Sequence, residues 1–228
     1  MIGHSIDKDL LTAYYTHEAM IELTTSCNLR CSYCNVSAPG WPSIDLPPTS
    51  YENVIKGLLA RGIKIVHLHG HGETTIVAEW HLLADRLINM GIQVSLCSNM
   101  MKSFEPAEFN TLSRLSNLTI SIDTVDPILF KQLRCGGNLP KLLENMATVR
   151  NIAQDHHRKL NISWSIVVCN LTLDGLLDLT NKAIELNING LTFCNLGYFD
   201  NPLRKVDICH IAELPQLQHK ASHIFYSI

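Results

Sequence analysis

Six strand-like runs alternate with helical stretches along the chain, and this alternation restricts the fold more than any other feature. The sequence predicts strands over Glu18 to Thr24, Ile63 to His69, Ile92 to Cys97, Asn117 to Ile122, Leu160 to Val168 and Ile188 to Cys194. Helices are predicted from Thr49 or Ser50 to about Arg61, Val77 to Met90, Glu105 to Leu115, Pro140 to about Gln154, and Leu173 to Leu186. Thr49 or Ser50 supplies an N-cap, and Gly62 and Gly91 close their helices in the left-handed way that glycine tolerates. Successive β-α units imply a parallel sheet joined by outer helices, and right-handed crossovers curl such a sheet. A closed eight-fold barrel takes about 250 residues. This chain has 228 and runs out of strands after six units. The expectation is an α/β fold, a partial (β/α)6 TIM-like barrel over 18–200. It would lie between an N-terminal extension (1–17) and a tail (201–228) with a short helical turn over 208–214. A hydrophobic fraction of 46% suffices for its core.

In parallel α/β folds the chemistry gathers at the carboxyl ends of the strands. The segments just past the predicted strands are therefore the candidate site. The first is Ser26-Cys27-Asn28-Leu29-Arg30-Cys31-Ser32-Tyr33-Cys34, which places three of the eight cysteines within eight residues. Thiolates are soft ligands suited to iron–sulfur clusters or zinc. A cubane normally takes four cysteines, so three would leave one iron with an open position. Zinc with a histidine as fourth ligand, or three cysteines together by chance, are the alternatives at this point. Of the dispersed cysteines, Cys97, Cys169 and Cys194 sit in or beside apolar runs, which predicts buried thiols.

C-x3-C-x2-C after a first strand, with the aromatic Tyr33 before the last cysteine, resembles the radical S-adenosylmethionine (radical SAM) superfamily. The resemblance covers roughly Ile21 to Asn195. It implies that Cys27, Cys31 and Cys34 hold a [4Fe–4S] cluster whose fourth iron is chelated by S-adenosylmethionine. One electron then splits the sulfonium into methionine and a 5′-deoxyadenosyl radical, which takes a hydrogen atom from the substrate. Gly70-His71-Gly72-Glu73-Thr74 is similar to the superfamily's Gly-Gly-Glu-Pro motif for the cofactor's amino group, with His71 for its first glycine and Thr74 for its proline. The resemblance further implies cofactor contacts for Ser98, Asn99, Ser121, Asp123, Arg134 and Asn170. Each has an ordinary alternative: Ser98-Asn99 a turn, Asp123 and Asn170 helix caps, Arg134 a solvated loop residue. Leu196-Gly197-Tyr198 would border adenine or substrate. His67, His69 and His71 share one strand face, where hydrogen-bonding roles are expected, and Trp164 reads as core.

No C-x2-C follows the predicted barrel, so a single cluster is expected. A peptide, protein loop or small molecule is the expected substrate, and a flavodoxin or ferredoxin the electron donor. The formal net charge of −3 gives no basic footprint for nucleic acid. The absence of a run of about 18 apolar residues predicts no transmembrane helix. The N-terminus lacks a basic-then-apolar leader, so a cytoplasmic protein is expected. A zinc-binding α/β protein, or a cluster-binding homologue without turnover, are the competing expectations.

Overall fold

The computed structural model describes residues 17–196. Tyr198, Cys209 and the helical turn expected over 208–214 lie outside them. Six strands form one parallel sheet: β1 (Glu18–Ile21), β3 (Ile65–Leu68), β4 (Gln93–Ser98), β5 (Asn117–Ser121), β7 (Asn161–Val168) and β8 (Gly190–Asn195). They lie side by side in chain order, with β1 and β8 at the two edges. Between them run α1 (Tyr51–Ala60), α2 (Trp80–Asn89), α3 (Pro106–Leu112), α4 (Pro127–Leu133), α5 (Leu139–Asp155) and α6 (Leu176–Glu185). All six predicted strands exist. The first stops at Ile21 rather than Thr24, because the chain turns away to pair locally. Thr24 bridges Asp45, and the Leu46 N–H donates to the Leu23 carbonyl at 2.8 Å.

β1, β3, β4, β5 and β7 alternate strictly in burial, and the edge strand β8 does not. Val66, Leu68, Val94, Leu96, Leu118, Ile120, Ile162, Trp164 and Ile166 are buried, in one core with Leu83 and Leu87 of α2 and Leu142 and Val149 of α5. Each such burial is worth roughly 1.5–3 kcal/mol. The opposite face carries His67, Ser95, Cys97, Thr119, Ser163 and Ser165, all half-buried. Trp164 is core, as expected, and so is the Cys169 thiol. Cys97 is instead half-buried on the polar face. Cys194 is exposed, because β8 has a neighbour on one side only among the described residues.

One helix and one pair of short strands escape the sequence reading. Helix α4 begins at Asp126-Pro127, where the Asp126 carboxylate accepts from the Ile128 and Leu129 N–H groups at 2.7 and 3.2 Å. A short antiparallel pair, β2 (Arg30–Cys31) with β6 (Arg134–Cys135), forms apart from the main sheet.

Glu108 ties the loops after β3 and β4 to the helical layer. Its buried carboxylate accepts from Trp80 Nε1 at 2.7 Å, Lys102 Nζ at 2.5 Å and the Glu105 N–H at 3.0 Å. Lys102 also donates to the Thr75 carbonyl at 3.1 Å. Burial pushes the Glu108 carboxyl up, but Lys102 and the other donors outweigh it and hold it below the usual range. A depressed carboxyl stabilises the fold above its unfolded pKa, and that stability is lost as pH falls through the folded one. Unfolding midpoints of wild type and Glu108→Gln should therefore converge below about pH 4. A gap unchanged from pH 7 to pH 3 would refute this role.

Candidate cofactor site

The segment leading out of β1 is held on several sides before the first cysteine. Thr24 Oγ1 accepts from the Ser26 N–H at 2.9 Å, Trp41 Nε1 donates to the Thr25 carbonyl at 2.9 Å, and the Glu73 N–H donates to the Ser26 carbonyl at 2.8 Å. The loop then docks on the far side of the fold. Cys31 pairs with Arg134 in the β2–β6 ladder, and the Ser32 N–H donates to the Leu133 carbonyl at 2.8 Å. Leu29 is buried beneath it.

Cys27, Cys31 and Cys34 line one cavity of about 220 Å³. His69 to Glu73 after β3, Ser98 and Asn99 at the end of β4, Ser121 of β5 and Val167 of β7 complete its rim. These are the carboxyl ends of four parallel strands, as the fold rule requires. Among the described residues, no three Cys, His, Asp or Glu side chains close on a point as they would around a single ion. Burial pushes the Cys31 thiol up to about 12, against the pull of Arg134, and burial also raises Cys27. Raised in this way both favour the protonated thiol, and a metal bound there would have to displace the proton. Asn99 Nδ2 lies 3.6 Å from Cys27 Sγ and donates to Asn28 Oδ1 at 2.8 Å, while the Leu29 N–H points at the same sulfur at 3.4 Å. Donors aimed at a ligating sulfur tune the metal it holds.

The glycines after β3 have a steric reason. A Cβ on Gly72 would lie 2.2 Å from the Thr24 carbonyl oxygen and 2.5 Å from that of Ser26. A Cβ on Gly70 would first strike the Glu22 side chain, its three nearest atoms lying 2.3–2.5 Å away. The His71 N–H donates to Glu22 Oε1, and the His71 ring tilts against Trp41 with centroids 5.3 Å apart. Glu73 turns inward. Its carboxylate accepts from Thr75 Oγ1 at 2.7 Å, Ser98 Oγ at 2.9 Å and the N–H groups of Thr75 and Asn99 at 3.2 and 2.7 Å. Burial still pushes its carboxyl up against those four donors. Glu73 and Ser98 thus join the ends of β3 and β4, and both remain on the cavity wall.

Asp123 and Arg134 also turn inward. Arg134 meets Asp123 twice, Nη2 with Oδ1 at 3.0 Å and Nε with Oδ2 at 2.9 Å. Tyr33 donates its hydroxyl to Asp123 Oδ2 at 2.5 Å, and the Val167 N–H donates to Oδ1 at 3.0 Å. The Arg134 guanidinium lies 5.9 Å from the Tyr33 ring centroid. Asp123 and Arg134 are buried and Tyr33 is half-buried, and desolvation pushes the Tyr33 hydroxyl well up, so it stays a donor. Asp123 therefore does not cap a helix. Its carboxylate anchors the aromatic residue of the cysteine loop to β5 and β7. Arg134 and Tyr33 reach the cavity wall; Asp123 and Asn170 are not among its lining residues. Leu196 packs with Leu133 and Cys169. Cys97, Ser165 and Val167 line the wall without having been singled out, although strand parity puts Cys97 on the face of Asn99.

The radical SAM superfamily profile matches residues 21–163. A GTP 3′,8-cyclase of Limosilactobacillus fermentum is 27% identical over 185 residues, covering 78% of this chain and 54% of its own. The sporulation killing factor maturation protein SkfB of Bacillus subtilis is 28% identical over 146 residues, covering 63% and 34%. The crystal structure of Streptococcus suis SuiB bound to S-adenosylmethionine superposes with a TM-score of 0.73 at 16% identity, over 93% of this chain and 48% of SuiB. That likeness shows the fold, the partial barrel expected from the strand count. The chain spans about half the length of the curated GTP 3′,8-cyclases it matches. With the profile covering more than half of the residues, this chain belongs to the radical SAM superfamily of enzymes, whose cofactors are a [4Fe–4S] cluster and S-adenosylmethionine.

Proposed function

We propose that Cys27, Cys31 and Cys34 each ligate one iron of the cluster, and that the cavity beside them receives S-adenosylmethionine at the fourth. The observation that carries this reading is the convergence of three soft thiols on one cavity wall at the carboxyl ends of four strands. When bound, the cofactor pair supplies one electron to split the sulfonium and a 5′-deoxyadenosyl radical to take a substrate hydrogen. The protein's part is to hold and shield. Gly72 and Glu73 shape the wall that faces the cofactor's amino group. Asn99 and the Leu29 N–H stabilise the Cys27 thiolate, and Arg134 the Cys31 thiolate. Tyr33, held by Asp123, fixes the loop. Ser98 and Ser121 complete the rim, and Asn170 lies just beyond it.

The substrate is a peptide or a small molecule. SkfB is a maturation protein, SuiB has been crystallised with its precursor peptide SuiA, and the cyclases are named for GTP. A flavodoxin or ferredoxin supplies the electron. The catalytic unit is residues 18–200, flanked by 1–17 and 201–228. No helix of the described residues is long and apolar enough to cross a membrane. A reduced cytoplasm suits the free thiols.

Anaerobic reconstitution is expected to give about four irons per chain, as one cubane requires. Dithionite reduction should then yield 5′-deoxyadenosine, and Cys31→Ala should lose both iron and cleavage while staying folded. Stoichiometric zinc in a colourless protein would sink the reading. A full cluster without 5′-deoxyadenosine would leave a binding protein without turnover.

A further inference from the structure

The polar face of the sheet holds a second cavity, of about 540 Å³, directly against the first. His69 and Cys97 line both. The strand register explains its chemistry. Met20, His67, Ser95, Asn117 and Asn161 stand side by side across five strands. Above them Cys97, Thr119 and Ser163 form a second row that ends at Gly190, which adds no side chain. Closed barrels fill such layers with branched apolar residues and leave no space. Here the layers are hydroxyls, amides and imidazoles around open volume. Buried polar groups are satisfied by each other, by water or by a ligand.

Asn117, Thr119 and Ser163 form one hydrogen-bonded group. Asn117 Nδ2 donates to Thr119 Oγ1 at 2.8 Å, and the Thr119 and Ser163 hydroxyls meet at 3.1 Å. His67 is held at both ring nitrogens, by Ser95 Oγ at 2.5 Å and Glu18 Oε2 at 3.0 Å. Burial lowers His69 below the usual histidine range, which keeps its imidazole neutral. Among the described residues the lining holds no Lys or Arg, and Arg134 next door is already paired with Asp123. A phosphate chain placed here would meet no Lys or Arg to offset its charge. An uncharged group that both donates and accepts would find partners among Ser95, Ser116, Asn117, Thr119 and Asn161, with Ile65 and Leu96 against its apolar part.

We propose that this cavity is a substrate subsite for a hydroxyl- or amide-bearing segment of a peptide, and that it rejects nucleoside triphosphates. The inference rests on the radical SAM reading above and adds the substrate's chemistry. Through the shared residues His69 and Cys97 the two cavities adjoin, so an occupant that extends to their common wall presents a C–H bond to the cofactor cavity. Thr119 and Asn117 are specificity residues, through hydrogen bonds to the occupant.

The test is ligand-observed saturation-transfer NMR on the reconstituted holoprotein with S-adenosylmethionine present. The probes are N-acetyl-Ser-Asn-amide and GTP. The dipeptide amide is expected to bind, with Thr119→Val weakening it about tenfold, the cost of a donor or acceptor left unpaired. Asn117→Ala should weaken it as well. Thermal melts establish that both variants are folded. Failure of the dipeptide to bind, binding indifferent to both substitutions, or displacement of the dipeptide by GTP would each overturn the proposal. Iron content and 5′-deoxyadenosine formation in the same samples report on the proposed function separately, so the two failures are distinguishable.

Discussion

Gly72→Ala is expected to abolish cluster retention, whereas Gly70→Ala leaves most of it. The contrast follows from what each new methyl would meet. At Gly72 it meets the backbone carbonyls of Thr24 and Ser26, at 2.2 and 2.5 Å. Backbone cannot rotate away, so the segment leading into Cys27 must shift and the Glu73 N–H bond to Ser26 breaks. Overpacking of this kind costs typically 1–3 kcal/mol. The strain falls on the loop that carries the three proposed ligands rather than on the fold as a whole. At Gly70 the obstacle is the Glu22 side chain, which can swing aside. Iron per chain after anaerobic reconstitution and gel filtration is the measurement. Equal iron in both variants would show that the close approach at Gly72 is not what positions the loop.

Asp123→Ala should lower the melting temperature by on the order of 10 °C and release the cysteine loop as well. Removing the carboxylate leaves Arg134 buried without its ion-pair partner, a loss of about 3–5 kcal/mol. In a domain of this size each kcal/mol moves the midpoint by about 2–4 °C. Tyr33 loses its acceptor and the Val167 N–H loses its own in the same step. Asp123→Ala with Arg134→Met should regain part of the melting temperature, because no unpaired charge remains. It should not regain full cluster content, because Tyr33 stays unanchored. A single variant that melts with the wild type would remove Asp123 from this role.

The strand–helix alternation was readable because a parallel sheet imposes it at every unit, and the glycines after α1 and α2 have the positive φ their positions required. The cysteine loop was readable for a similar reason: ligand type and spacing are local. The contacts that place that loop were not. Ser32 and Leu133 carry no pattern that pairs them, and β2 and β6 have two residues each, too few for any periodicity. Asp126-Pro127 did carry a helix-start signal for α4, an N-cap followed by proline at the first turn. Asp123 and Arg134 were legible as important residues but not in their roles. Whether a buried charge faces a ligand or another side chain depends on long-range geometry. In this fold each found the other, and Tyr33 with them.

The docking of the cysteine loop on Leu133, 101 residues downstream of Ser32, also sets an order of events during synthesis. At ribosomal rates of roughly 5–20 residues per second, the ligating thiols leave the exit tunnel about 5–20 s before the strand that will hold them. Until then nothing fixes their mutual spacing. Iron and sulfide delivered to the newborn segment would meet a tether with no shape, so under the proposed ligand assignment cluster loading follows the emergence of Leu133 and β6.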